Sequence, residues 1–315
     1  MLKEDIEKIN KLGQKKCPFL LVIDFTSTKC EIISDFCACD ISFSMDKVTP
    51  KGFTNKNTHL KKYPNSLKSY EKQFNKIIQY IKKGHTYFLN LSLKTRIETE
   101  LNLRQIYEQS KAKFKLRFKD EFVCFSPERF IKIQNQEIST YPMKGTIDAS
   151  IKDARKKILE NEKEKAEHTM VVDLLRNDLS MVAKEVRVKN FRFVEEINAG
   201  EKKLLQVSSQ ICGKVDKSWK ENIGTILDKL LPAGSISGAP KKETLRIINE
   251  VEDYSRDFYT GVFVHFDGGN LDSAVMIRFI QKEDEKLFYK SGGGLTIDSL
   301  LTSEYEEILA KIYLS

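Results

Sequence analysis

Runs of apolar and alternating positions divide the chain into a strand-rich protein with interspersed helices. Residues 18–25 (PFLLVIDF) and 29–34 (KCEIIS) predict adjacent strands, and the polar run 49–64 predicts a loop. Over residues 65–83 the apolar positions Leu67, Tyr70, Phe74, Ile77, Ile78 and Ile81 recur close to every 3.6 residues. That period predicts an amphipathic helix packed on a sheet and stopped by Gly84. Residues 86–97 alternate and predict a central strand, followed by a helix over 103–112 and short strands to residue 125. Residues 129–133 and 137–141 predict a hairpin closed by the two-residue turn Asn135-Gln136. A helix over 162–181 follows, then strands over 184–190, 191–197 and 204–215, and a helix over 218–231 whose Trp219 reads as packing. A helix from about residue 240 to 253 precedes strands 258–266 and 273–280, joined by a turn at residues 267–270. Strand 286–291 and a last helix over 302–314 complete the pattern.

Composition adds bounds to this picture. A chain of 315 residues with 40% hydrophobic content builds an ample core. No stretch approaches the roughly 18 consecutive apolar residues of a membrane span, and the charged start MLKEDIEKINKLG is unlike a signal peptide. The expectation is a cytoplasmic protein. Cys17, Cys30, Cys37, Cys39, Cys124 and Cys212 form no CxxC pair and have no histidine at zinc spacing, so they read as reduced and mostly buried. The net charge of +8 is dispersed, with 53 basic and 45 acidic residues, which suits a solvated surface or the attraction of a small anion. No nucleic-acid recognition motif accompanies it.

Candidate chemistry clusters in a few stretches. Glu128 and Lys144 flank the predicted hairpin, which brings an acid and an amine near its two ends; ordinary surface charges are the alternative. Glu164 and Glu167 stand three apart on one helix face, with Met170, Val171 and Leu174 continuing a buried stripe. Two such carboxylates suit a cation, or else are solvated. His168 beside them reads as a structural hydrogen-bonding residue. The segment 230–244 (LLPAGSISGAPKKET) leads into a helix at Pro240 and offers free amides to an anion, or is a plain entry loop; its spacing is not that of a Walker A motif. Arg278, placed inside an apolar strand, calls for an anionic partner. Gly292, Gly293 and Gly294 read as exposed amides with room for a ligand. In the last helix Glu304 and Glu307 repeat the three-residue spacing, and Lys311 follows on the same face.

With these stretches in view, SPERF, PMKGT, EKAEHTMVVDLLRNDL, AGSISGAPK, YTG, MIRF, SGGGLTIDS and SEYEEILAKI resemble, in order and spacing, the chorismate-utilising enzymes. That family includes component I of aminodeoxychorismate synthase and of anthranilate synthase, with isochorismate and salicylate synthases. The resemblance runs from about residue 65 to the end. Lys144 in PMKGT makes the chain most similar to the aminodeoxychorismate branch, since anthranilate synthases usually carry a small residue there. The resemblance implies an α+β fold of two packed, mostly antiparallel sheets with helices outside. Residues 1–64 form a short N-terminal part of the same unit, and 65–315 the chorismate-binding core.

It also implies roles. Glu167 and Glu307 would be direct Mg²⁺ ligands, assisted by Glu164 and Glu304. Ser235, Tyr259, Arg278, Gly292, Gly293, Gly294 and Lys311 would face the substrate. Glu128 would be the general acid/base and Lys144 the catalytic amine. Chorismate and ammonia would react, the ammonia coming from a glutamine amidotransferase on a separate chain. Charge accounting agrees: of the six negative charges on four glutamates and a dicarboxylate, a divalent cation offsets two, and Lys144, Arg278 and Lys311 offset three more. Oxygen-only ligands are also what Mg²⁺ prefers. Two features depart from the family. Gln206 stands where relatives commonly have histidine, and an amide cannot gain a proton. The segment LVIDFTSTK lacks the feedback-inhibitor motif of anthranilate synthases, so tryptophan inhibition is not expected. The rival readings are another chorismate enzyme, such as anthranilate synthase component I or an isochorismate or salicylate synthase, and a catalytically silent binding subunit.

Overall fold

The computed structural model describes residues 1–36, 39–46, 59–199 and 202–314. In chain order, α1 (Lys3–Gln14) precedes β1 (Phe19–Ile23), β2 (Cys30–Ile33), β3 (Ile41–Met45) and β4 (Lys61–Tyr63). Then come α2 (Leu67–Lys82), β5 (Phe88–Glu98), α3 (Leu103–Gln109), β6 (Phe114–Phe118) and β7 (Phe122–Ser126). The middle of the chain forms β8 (Arg129–Gln134), β9 (Glu137–Thr140), β10 (Met143–Asp148), α4 (Ala154–Glu160), α5 (Glu162–Ser180), β11 (Lys184–Ala199) and β12 (Lys202–Lys214). The last third holds α6 (Ile223–Leu230), α7 (Gly234–Ser237), β13 (Gly238–Ala239), α8 (Lys241–Val251), β14 (Val262–Phe266), β15 (Leu271–Val275), β16 (Phe279–Glu283), β17 (Lys286–Leu295) and α9 (Leu301–Ala310).

These elements build two compact units interleaved in sequence. The first comprises Met1–Cys39, Ser126–Ser235 and Gly261–Val275. Its antiparallel sheet runs β10-β12-β9-β8-β15-β14-β1-β2, with β11 also on β12. The apolar run of β1 is explained by its place between β14 and β2, where all five residues are buried. The predicted hairpin is β8–β9, with Gln134 opposite Glu137. Asn135 and Gln136 have φ of 50° and 62°, as a tight primed turn requires.

The second unit comprises Asp40–Phe125, Ile236–Thr260 and Met276–Ser315. Its antiparallel sheet runs β13-β5-β17-β16-β7-β6-β3, with β4 on β5. The predicted central strand is thus β5, flanked by β17 and β13. The predicted amphipathic helix is α2, capped by the Ser66 side chain accepting from the Ser69 amide, and followed by Gly84 at φ 77°. Fold class follows expectation: two mostly antiparallel sheets with helices.

Several boundaries shift. Lys61–Tyr63 pairs with β5 where a loop was expected, and residues 49–58 of that loop, with Cys37, lie outside the described residues. Residues 184–199 form one bulged strand, because β12 pairs along its whole length. The predicted helix 218–231 is a 3-10 turn (Trp219–Asn222) followed by α6. Within the segment 230–244, expected to offer free amides, residues 234–239 form α7 and β13, and β13 lies on the β5 edge. Pro240 is the N-cap of α8. Of the described cysteines only Cys124 and Cys212 are buried, although all five are free thiols. Among the described residues no helix is long and apolar enough to cross a membrane.

Candidate active site

In the first unit, α5 lies against β10, β11 and β12. The Asn161 side chain caps it by accepting from the Glu164 amide. Lys144, expected just after the predicted hairpin, lies in the first residues of β10. The β10–β12 register slips between Met143 and Thr146, so Lys144 and Gly145 form a bulge, with Gly145 at φ 92°. A bulge re-aims the side chain it carries. The Lys144 amine stands 2.8 Å from Glu167 Oε2, while Lys163 approaches the other oxygen at 3.8 Å. A side chain at Gly145 would stand 3.2 Å from Glu164 Oε2, so both carboxylates of α5 face the bulge.

His168 takes the structural role expected of it. It is fully buried, its Nε2 is 2.7 Å from Ser209 Oγ, and its Nδ1 is 3.4 Å from the Lys144 carbonyl. The Arg192 amide donates to Ser209 Oγ at 2.9 Å, which leaves the serine proton for Nε2 and the ring proton for the carbonyl. Burial pushes the imidazole down to about 4, so it is neutral. Met170, expected in a buried stripe, is exposed because the sheet contacts α5 on the side of Val171, Leu175 and Leu179. Gln206 donates through Nε2 to the Gly145 carbonyl at 2.9 Å and accepts from the Thr146 hydroxyl at 2.7 Å. Elsewhere in this unit the Ser235 hydroxyl donates to Glu128 Oε1 at 2.5 Å. Ser126 Oγ accepts from the Glu128 amide, and the Glu128 carbonyl accepts from the Val275 amide. Those bonds fix the backbone from which the Glu128 carboxylate projects.

In the second unit, α9 packs on β17. Lys311 pairs with Glu307 at 2.7 Å and donates to the Gly292 carbonyl at 2.8 Å. Gly292, Gly293 and Gly294 are not a free loop. They continue β17 against β5, opposite Ser92, Leu91 and Asn90. A Cβ on Gly294 would overlap the Phe88 ring at 2.2 Å, whereas one on Gly293 would meet Glu304 Oε2 at 3.6 Å. The missing side chain at Gly293 therefore leaves space beside the α9 carboxylate and Lys311. Glu304 is buried and Glu307 exposed.

Arg278 does not lie inside a strand. It sits at φ 53° in the bend between β15 and β16, and its carbonyl accepts from the Phe125 amide. Its Nε donates to the Tyr313 hydroxyl at 3.2 Å, and among the described residues no carboxylate pairs with it. Tyr259 was expected in a strand and is in the turn preceding β14, with its ring 5.9 Å from that of Phe279. Burial raises its phenol pKa, with Arg256 and Arg278 acting in the opposite sense. The turn is held by a buried pair the pattern did not reveal: Arg256 bonds both oxygens of Glu252, at 2.8 and 2.6 Å, and each side chain is 2% exposed.

The first unit thus offers carboxylates and an amine, and the second offers carboxylates, an amine and a guanidinium bonded to a phenol, the kinds of group that bind a hard cation and a small polyanion. The sequence profile of a family described as chorismate binding enzyme matches residues 26–314. The chain belongs to that family. Among its relatives within the chorismate binding enzymes, an "Uncharacterized PabA-like protein" of Haemophilus influenzae is 45% identical over 98% of this chain and 95% of its own length. Anthranilate synthase component 1 of Acetivibrio thermocellus is 34% identical over 74% of this chain and 49% of its own. Aminodeoxychorismate synthase component 1 of Bacillus subtilis is 31% identical over 76% and 53%. The fold is shared with the crystal structure of a putative 2,3-dihydroxybenzoate-specific isochorismate synthase of Bacillus anthracis, at TM-score 0.72 and 19% identity over 97% of this chain and 87% of that one. The protein is thus a chorismate-utilising enzyme.

Proposed function

We propose that the protein aminates chorismate at C4 to give 4-amino-4-deoxychorismate, in an Mg²⁺-dependent reaction in the cytoplasm that uses ammonia from a separate glutamine amidotransferase. The observation that carries this reading is Lys144, an amine raised on a β-bulge and held 2.8 Å from a carboxylate of α5. The steps balance as two successive displacements. The Lys144 amine adds at C2 while Glu128, hydrogen-bonded to Ser235, protonates the departing C4 hydroxyl. Ammonia then adds at C4, and the lysine leaves from C2 with the return of the ring double bonds. Arg278 and Tyr259 are assigned to a substrate carboxylate, as are the Gly292 to Gly294 backbone and Lys311.

The donor set suits Mg²⁺ in kind, since Glu164, Glu167, Glu304 and Glu307 offer only oxygen. Among the described residues no three or more His, Cys, Asp or Glu side chains group as a metal site. Mg²⁺ commonly takes one or two carboxylates with water and substrate oxygens filling the rest of its shell. When bound, it would neutralise carboxylate charge and favour loss of the C4 oxygen. Lys144 pairs with Glu167 and Lys311 with Glu307, so each carboxylate has a cationic neighbour within the protein.

Incubation with chorismate, Mg²⁺ and ammonium tests the reading. Aminodeoxychorismate should accumulate and yield 4-aminobenzoate only after a lyase is added; direct anthranilate fluorescence or unconsumed chorismate would reject it. With ammonia withheld, intact-protein mass spectrometry should show an adduct that Lys144→Ala lacks. Full activity of that variant would remove the lysine from the chemistry.

A further inference from the structure

The bulge that raises Lys144 has lost its ladder partners between Met143 and Thr146, yet its backbone is not left open. A buried carbonyl without a donor costs about 1–3 kcal/mol, so what satisfies these groups also decides where the bulge stands. Three consecutive residues are gripped by side chains from other elements. His168 of α5 faces the Lys144 carbonyl, with Ser209 fixing the ring from the far side. Gln206 of β12 donates to the Gly145 carbonyl and accepts from the Thr146 hydroxyl. Both ends of the one amide are thereby engaged, and its orientation is set.

We propose that Gln206, through Gly145 and Thr146, and His168, through the Lys144 carbonyl, are positioning residues that fix the Lys144 amine for reaction. Gln206 is a clamp and takes no part in proton transfer. The argument is one of valence and reach. An amide presents a donor and an acceptor on separate atoms, and this bulge supplies one acceptor, the Gly145 carbonyl, and one donor, the Thr146 hydroxyl. Gln206 is buried, so losing either bond leaves a polar atom of the bulge or of the amide unsatisfied. Gly145 at φ 92° resists substitution, which confines the bulge to the shape the clamp selects. A lysine stem is flexible; where its amine stands is set by where its Cα is held and by the Glu167 carboxylate at its tip.

The inference rests on Lys144 having the role proposed above, and its test separates the two. Thr146 is exposed, so Thr146→Val removes one clamp bond without opening the core, and Thr146→Ser restores it. Gln206→Ala removes both. Each variant is assayed for kcat and KM with chorismate, Mg²⁺ and ammonium. The labelling rate of Lys144 by acetic anhydride is measured against the other lysines by peptide mass spectrometry. Gln206→Ala should lower kcat by about tenfold or more with little change in KM, the signature of misplacement rather than lost binding. Thr146→Val should fall between, and Thr146→Ser near wild type. Lys144 labelling should move in the same order, outside the scatter of the other lysines. Unchanged kcat and unchanged Lys144 labelling in Gln206→Ala would overturn the clamp, as would a fall in kcat with labelling untouched. If Lys144→Ala proves fully active, the chemical reading fails, while the labelling series still decides whether Gln206 holds the bulge.

Discussion

At the residue scale, the consequences of charge placement are the sharpest. Glu167 is nearly buried and ion-paired with Lys144, so Glu167→Gln should abolish turnover and lower stability by about 1–3 kcal/mol, because the variant replaces a partly desolvated ion pair with a weaker neutral contact. Activity of that variant at limiting Mg²⁺ comparable to wild type would remove Glu167 from the metal. From the spacing alone, relief of repulsion between Glu164 and Glu167 is the expected effect, with no loss of stability; the lysine across from Glu167 reverses that sign. Lys290 offers a cleaner titration. It is fully buried, donates to the Ser255 and Arg256 carbonyls, and is pushed down to about 8 by burial. Between about pH 8 and 10.5 the unfolded chain binds more protons than the native one, so stability rises with pH across that window. The charge penalty is fully present below pH 8 and amounts to about 3 kcal/mol. The stability difference between wild type and Lys290→Met should shift toward wild type by that order from pH 7.5 to 10.5, read by denaturant unfolding. A pH-independent difference would contradict the burial argument.

At the scale of elements, what the sequence made legible was whatever is encoded within one element. The hairpin turn at Asn135-Gln136, the Tyr70, Phe74 and Ile77 face of α2, and the three-residue spacing of Glu164/Glu167 and Glu304/Glu307 are local and periodic, and they lie on the predicted elements, although Leu67 at the start of α2 is exposed. Arg278 and Tyr259 were placed in strands because alternation runs on through a bend; positive φ at Arg278 and Thr260 is invisible to a pattern of polarity. The clamps from His168 and Gln206 join β10 to residues 24 to 61 positions away, and no spacing rule reaches that far. From the sequence the glycine run reads as exposed amides with room for a ligand, yet its backbone is paired along β5 and Gly292 and Gly294 are required by packing. Gly294→Ala should therefore destabilise the protein by about 1–3 kcal/mol through overlap with Phe88. Gly293→Ala should melt like wild type and still raise the KM for chorismate, since its methyl enters the space beside Glu304 and Lys311. Equal melting losses in the two variants would show that the strand face is misassigned.

At the scale of the molecule, each unit draws its own half of the candidate residues from distant parts of the chain: Glu128, Lys144, Glu164, Glu167 and Ser235 in one, and Tyr259, Arg278, the glycines, Glu304, Glu307 and Lys311 in the other. If ammonia reaches C4 from a partner, glutamine should support turnover only when an amidotransferase is added, while ammonium at alkaline pH should suffice alone. Glutamine-dependent turnover by the isolated chain would refute the partner. The pairing of β1 with β14 joins Phe19 to Phe266 across most of the chain. On a ribosome adding roughly 5–20 residues per second, the apolar segment FLLVI emerges tens of seconds before the strand that covers it exists. Until then that segment is an uncovered sheet edge, and a chain that stops short of residue 266 keeps it uncovered for good, a client for chaperones rather than a smaller enzyme.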